Sequence, residues 1–129
     1  MLINILLVAL GSALGGACRY GLSLLENTYA ANISWTTLIV NIAGGFLIGL
    51  LAAYFTFQQN APLLKLLLIT GFCGGFTTFS TFSLDVVNQL QNGELQTAFW
   101  LTALHVVGAI SATFLGLVTM LKLFQGFSS

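Results

Sequence analysis

Long apolar runs separated by short polar breaks set the plan of this chain. A membrane-spanning helix needs about 20 predominantly apolar residues. Residues 2–25, 35–57, 62–90 and 97–124 each meet that requirement. The breaks between them read "ENTYAANIS", "QQNAP" and "QNGE", all short and polar. Pro62 stands where the third run begins, and its fixed φ suits the first turn of a helix. The pattern predicts an all-α integral membrane protein. It has a single four-helix transmembrane domain over 1–129, with no soluble domain, linker or low-complexity tail and no convincing internal repeat.

Composition sharpens this picture. The 129 residues are 57% hydrophobic and only 5% charged, whereas a soluble domain carries about a quarter charged residues. Three acids and three bases cannot clothe a soluble surface. Zero net charge leaves no basic face for nucleic acid. The first run has no charged leader and is needed as a span, so it reads as a helix rather than a cleaved signal. Cys18 and Cys73 lie in apolar runs without metal or redox spacing, and read as reduced packing residues.

Charge says little about orientation. With four spans both termini share one side, which carries Lys65 and Lys122 against Arg19 on the other. Cytoplasmic loops normally carry a clear Lys/Arg excess. Two against one leaves two readings open. One is a single orientation; the other is insertion both ways round, with an antiparallel dimer.

Candidate chemistry sits inside the spans. Gly11 and Gly15, Gly45 and Gly49, and Gly108, Ala112 and Gly116 repeat at the four-residue spacing that lets helices approach closely. Asn41 is a lone amide in an apolar run, either glue between helices or a donor facing a polar path. Arg19 must reach the interface or find a partner; Asp85 is a candidate. His105 reads as a hydrogen-bonded packing residue.

The stretch "GFCGGFTTFSTFS", residues 71–83, is the most polar segment within a span. Gly74 and Gly75 weaken a helix by about 1 kcal/mol each relative to alanine. Thr77, Thr78, Ser80, Thr81 and Ser83 can satisfy freed backbone groups. A third span broken near Gly74 to Thr78 is therefore expected. Such backbone survives at membrane depth only when buried in protein or lining a cavity. Phe79 and Phe82, three apart, share a helix face. Their positive ring edges would attract a small anion weakly; as ordinary packing they would need no such role.

Three motifs together, "GGACRYG" (15–21), "TLIVNIAGGFLIG" (37–49) and "GFCGGFTTFSTFS" (71–83), resemble the Fluc or CrcB family of small bacterial fluoride ion channels. The likeness covers essentially the whole chain. It implies a passive, highly selective channel that exports cytoplasmic fluoride across the inner membrane. It further implies an antiparallel, dual-topology homodimer with two pores. By the same likeness Asn41, Phe79, Phe82, Ser80, Thr81 and Thr113 fall on the pore and Arg19 on its vestibule. The backbone carbonyls of Gly74 and Thr77 would hold a structural Na+ at the dimer interface. Two positions depart from the family pattern: Asp85 replaces an expected glutamate, and Ala109 stands near an expected serine.

Two other classes share parts of this pattern. A small proton-coupled multidrug-type exporter shares the size and four-span plan but relies on a glutamate within the first helix; here Glu26 lies past it. A non-transporting scaffold subunit explains the glycines but not the phenylalanine and hydroxyl cluster. An enzyme is not indicated, because no nucleophile–base pair or metal-ligand spacing is visible.

Overall fold

A computed structural model describes residues 1–26 and 34–127. Most of the first polar break, "ENTYAANIS", lies outside them. Among the described residues the protein is entirely helical. Helix α1 spans Leu2–Ser23 and α2 spans Trp35–Phe57. Helix α3 covers residues 62–76 in three pieces, Pro62–Lys65, a widened π-helical stretch Leu66–Cys73, and Gly74–Phe76. Helix α4 spans Phe79–Gln91, and α5 spans Leu95–Phe127. Helices α3 and α4 together make the third span, so four segments are long and apolar enough to cross a membrane. This is a multi-pass membrane protein.

Local chemistry sets the helix ends. Ser34 caps α2 by accepting from the Thr37 N–H. Glu26 adds a second cap from beyond α1. Its carboxylate accepts from the Trp35 N–H at 2.6 Å and from the Ser34 hydroxyl at 3.0 Å. Both oxygens sit at a helix N-terminus, where backbone N–H groups lack internal partners. Burial pushes the Glu26 carboxyl up. Hydrogen bonds from Thr36, Ser34 and Trp35 outweigh that and hold it below its ordinary value. At the far end of α4, Gly93 has φ +77°. Its N–H donates to Leu90 and that of Glu94 to Gln89, the paired bonds of a glycine-terminated helix. The last helix therefore starts at Leu95, two residues before the apolar run itself.

Packing divides into two halves. Helix α2 lies along α5, and α1 lies along α3. Glycines make both contacts possible. A Cβ at Gly49 would land on the Thr113 carbonyl oxygen, and one at Gly116 on that of Phe46. A Cβ at Gly11 would meet Leu67 and one at Gly15 would meet Phe72, again at backbone oxygens. Without side chains the backbones touch, which supplies dispersion contacts that lipid tails cannot match across a rougher seam. The small-residue spacing in the sequence thus marks real helix seams on α1, α2 and α5.

Candidate functional site: a clamped break beside an open groove

Between Phe76 and Phe79 the third span stops being helical. Thr77 (φ −82°, ψ 157°) and Thr78 (φ −149°, ψ 115°) are both extended. In a continuous helix the Thr78 N–H would close onto Gly74. Here it donates instead to Asn41 Oδ1 at 2.8 Å, while Asn41 Nδ2 donates back to the Thr78 carbonyl at 3.0 Å. One primary amide matches one peptide group, donor to acceptor and acceptor to donor. That pairing satisfies two backbone groups that would otherwise be stranded away from water.

Thr78 then organises the polar side chains around it. It is buried. Its Oγ1 caps α4 by accepting from the Thr81 N–H. The same oxygen lies 3.2 Å from the Ser80 hydroxyl and 3.1 Å from that of Thr81. On the other side of the break, the Thr77 hydroxyl donates to the Cys73 carbonyl at 2.9 Å. The hydroxyl run therefore divides its labour. Thr77 closes one helix end, Thr78 opens the next, and Ser80 and Thr81 converge on Thr78.

The first turn of α4 carries the aromatic pair. The rings of Phe79 and Phe82 meet edge to face at 5.4 Å between centroids. Their environments differ sharply: Phe79 is 77% exposed and Phe82 only 7%. Phe82 is stacked on the His105 imidazole from α5, with centroids 4.4 Å apart. Both phenylalanines, Asn41, Gly74, Thr77 and Ala109 line an open groove of about 630 Å³ with few polar atoms. Gly74 sits on the exposed rim of that groove, with open space where a Cβ would stand.

A second cavity, of about 310 Å³, lies on the other side of the clamp. Arg19 projects into it among hydroxyls from Ser23, Ser34, Thr36, Thr37 and Thr81. The Arg19 Nε is buried without a protein partner. No ion pair joins Arg19 to Asp85 among the described residues, and Asp85 Oδ2 is likewise buried and unpartnered. Thr78 forms part of the wall of both cavities. The clamped peptide is thus the partition between a cationic, hydroxyl-lined chamber and an aromatic groove.

Eight of the nine residues singled out from the sequence gather around this partition. The ninth, Thr113, does not line the groove. Its hydroxyl donates to the Ala109 carbonyl at 2.9 Å, and it lies against Gly45 at the α2–α5 seam. Sequence reasoning underrated two residues. Thr78 stood among the hydroxyls able to satisfy the break, but its position one residue before the helical "FSTFS" marks it as the cap. His105 gave no local signal, because its stacking on Phe82 joins different helices.

Four apolar spans and a polar, non-helical break held at membrane depth define a polytopic membrane protein of the channel or transporter type. Comparison with known proteins agrees. The family model for the CrcB-like protein, Camphor Resistance (CrcB), matches residues 6–117. Among curated relatives, the fluoride-specific ion channel FluC of Pseudomonas aeruginosa (strain UCBPP-PA14) is 48% identical over 118 residues, covering 91% of this chain and 93% of that protein. The protein of the same name from Acinetobacter baumannii (strain ACICU) is 45% identical over 115 residues, covering 89% and 91%. That from Chromobacterium violaceum is 44% identical over 117 residues, covering 90% and 93%. The chain belongs to the CrcB family, whose relatives named here are ion channels and not enzymes.

Proposed function

We infer that this protein is a passive, selective fluoride channel of the bacterial inner membrane, working as an antiparallel dual-topology homodimer with two pores. The observation that carries the reading is the Asn41–Thr78 clamp. It holds an extended peptide at membrane depth and launches α4 so that Phe79, Phe82 and the hydroxyls of Ser80 and Thr81 flank one partition. The names of the relatives supply the ion.

The physical route runs from charge to weak donors. Arg19 has an unpartnered buried donor in a hydroxyl-lined chamber, so it draws an anion in. Beyond Thr78, ring edges and hydroxyls replace part of the ion's water. They bind without a full charge that would hold the ion in place. Phe79, 77% exposed on one chain, is completed by a second copy across the groove. A channel of this kind needs no acid in the first helix. Glu26 is occupied in capping α2, which leaves the proton-coupled exporter without its central residue.

Gly74 and Thr77 fit a structural sodium ion at the dimer interface. Both lie at a helix end whose next N–H, on Thr78, is diverted to Asn41, and both line the open groove. Backbone oxygens suit a hard cation. A sodium ion held by these carbonyls would supply a fixed positive charge beside the break. It has no redox role.

The test is efflux from liposomes loaded with potassium fluoride or potassium chloride, started by valinomycin and followed with ion-selective electrodes. Fast fluoride release without chloride release supports the reading. Equal release of both ions removes the selectivity, and no release of either from folded dimer removes conduction.

A further inference from the structure

The chain has two tryptophans, Trp35 and Trp100. Both line one cavity of about 300 Å³ where α2 and α5 begin. A tryptophan that merely anchors a helix at the membrane surface needs no ligand. These two come from different helices, and Glu94 lines the same cavity from the position just before α5. All three residues are exposed. Among the described residues no base lines the cavity, so the Glu94 carboxylate has no counter-ion within it. Phe99 meets Trp100 edge to face at 5.4 Å, which restricts that indole.

We propose that this cavity binds a phospholipid with an ammonium headgroup, of the phosphatidylethanolamine class. The inference stands on the placement of the chain in a membrane and not on which ion it conducts. Tryptophan is the aromatic ring whose face a cation prefers, and such rings recognise ammonium ligands. A carboxylate beside them accepts hydrogen bonds from the ammonium group and takes up its charge. A headgroup of net negative charge would meet Glu94 as a like charge.

Polarity along the cavity points to a lipid rather than a water-soluble amine. The start of α5 supplies Glu94, Gln96 and Thr97 at the outer end and Trp100 and Leu104 further in. Glu94 to Leu104 is about 15 Å of helix at about 1.5 Å per residue. The headgroup layer is roughly 6 Å deep on each side of a bilayer. The cavity therefore begins among headgroups and ends beside acyl chains.

Its position leaves it open to lipid. Successive residues turn by about 100° around a helix. Trp100 therefore stands opposite Ala109 on α5, and Leu104 nearly opposite Val106. Ala109 and Val106 line the aromatic groove, so a second copy seated across that groove would leave this cavity uncovered. A lipid held here joins the first turns of α2 and α5, at the open end of the seam that Gly45 and Gly49 close further along.

The two tryptophans also make the experiment local, since all indole fluorescence comes from this cavity. The protein is reconstituted in vesicles of equal parts phosphatidylethanolamine and phosphatidylglycerol. One lipid or the other carries acyl chains brominated near the glycerol, which quench nearby tryptophan. Phosphatidylethanolamine should show an apparent affinity about threefold that of phosphatidylglycerol, the scale of one exposed cation–π contact. Glu94→Gln should bring the ratio near one, and Glu94→Lys should reverse the preference. Trp100→Leu leaves Trp35 as reporter and should also lower the ratio. Equal quenching by the two lipids in wild-type protein overturns the inference, since it marks ordinary lipid contact only. A wild-type preference for phosphatidylglycerol overturns it too, as does a preference that survives Glu94→Gln. No quenching by either lipid means that protein covers the cavity, which removes the lipid as its occupant.

Discussion

Asn41 and Thr78 stand 37 positions apart, yet they share two hydrogen bonds. Replacing Asn41 with alanine strands the Thr78 N–H and carbonyl. Each unsatisfied buried group costs about 1–3 kcal/mol, so the break is expected to collapse or shift. Fluoride efflux from Asn41→Ala should drop at least tenfold, about the 1.4 kcal/mol that separates decades, while size-exclusion chromatography still shows dimer. Efflux at the wild-type rate would remove the clamp from the mechanism. The sequence marked Asn41 as an isolated amide and paired Phe79 with Phe82 by spacing. It could not show that Asn41 reads a peptide group, nor that one phenylalanine is buried against His105 while the other is open. Those facts depend on which helices become neighbours.

At the scale of helices, the seams offer a paired comparison. At Gly49 a Cβ meets the backbone of α5, which cannot move aside cheaply; at Gly21 it meets nothing within 4 Å. Gly49→Ala is expected to destabilise the protein by about 1–3 kcal/mol through overpacking. Gly21→Ala should be neutral or stabilising by up to about 1 kcal/mol, as alanine suits a helix better. Thermal melts in detergent would separate the two, and similar shifts would argue that the α2–α5 seam is loose.

The cap on α2 makes a pH-dependent prediction. Because the folded Glu26 carboxyl titrates below its ordinary value, its contribution is present above the unfolded-state value. It is lost as pH falls through the folded one. Glu26→Gln should melt lower than wild type near neutral pH, and the gap should close in acid. A constant gap across pH would assign the loss to geometry rather than charge. Ser34→Ala should cost about 1 kcal/mol near neutral pH, as N-cap removal usually does, and part of that loss should fade in acid because the Ser34 hydroxyl also donates to the Glu26 carboxylate.

Across the whole molecule, the helix order gathers Arg19, Glu26, Asp85 and Glu94 toward one end and Lys65 and Lys122 toward the other. Acids count little in orientation, so two bases face one. Two lysines added near the C-terminus should commit the chain to one orientation. Antiparallel pairs could then no longer form, and fluoride efflux should fall toward background. Co-expression with an oppositely biased copy should restore it. Full activity from chains shown by cysteine labelling to lie one way would remove the antiparallel arrangement. Phe79 and Gly74 are exposed on the isolated chain, at an apolar face and a helix end.

The number of spans and their approximate ends were legible because hydropathy and turn chemistry are local properties of the chain. So were the glycine seams, since four-residue spacing fixes a helix face before any partner is known. The family was also legible, from motifs that remain contiguous. Tertiary structure alone decided that Thr78 is the wall between two cavities. It decided that Arg19 leaves Asp85 unpaired, that Thr113 turns into the α2–α5 seam, and that His105 stacks on Phe82. Each of these depends on how one helix is rotated and slid against another. Side-chain volumes across the whole bundle set that register, and no short stretch of sequence carries it.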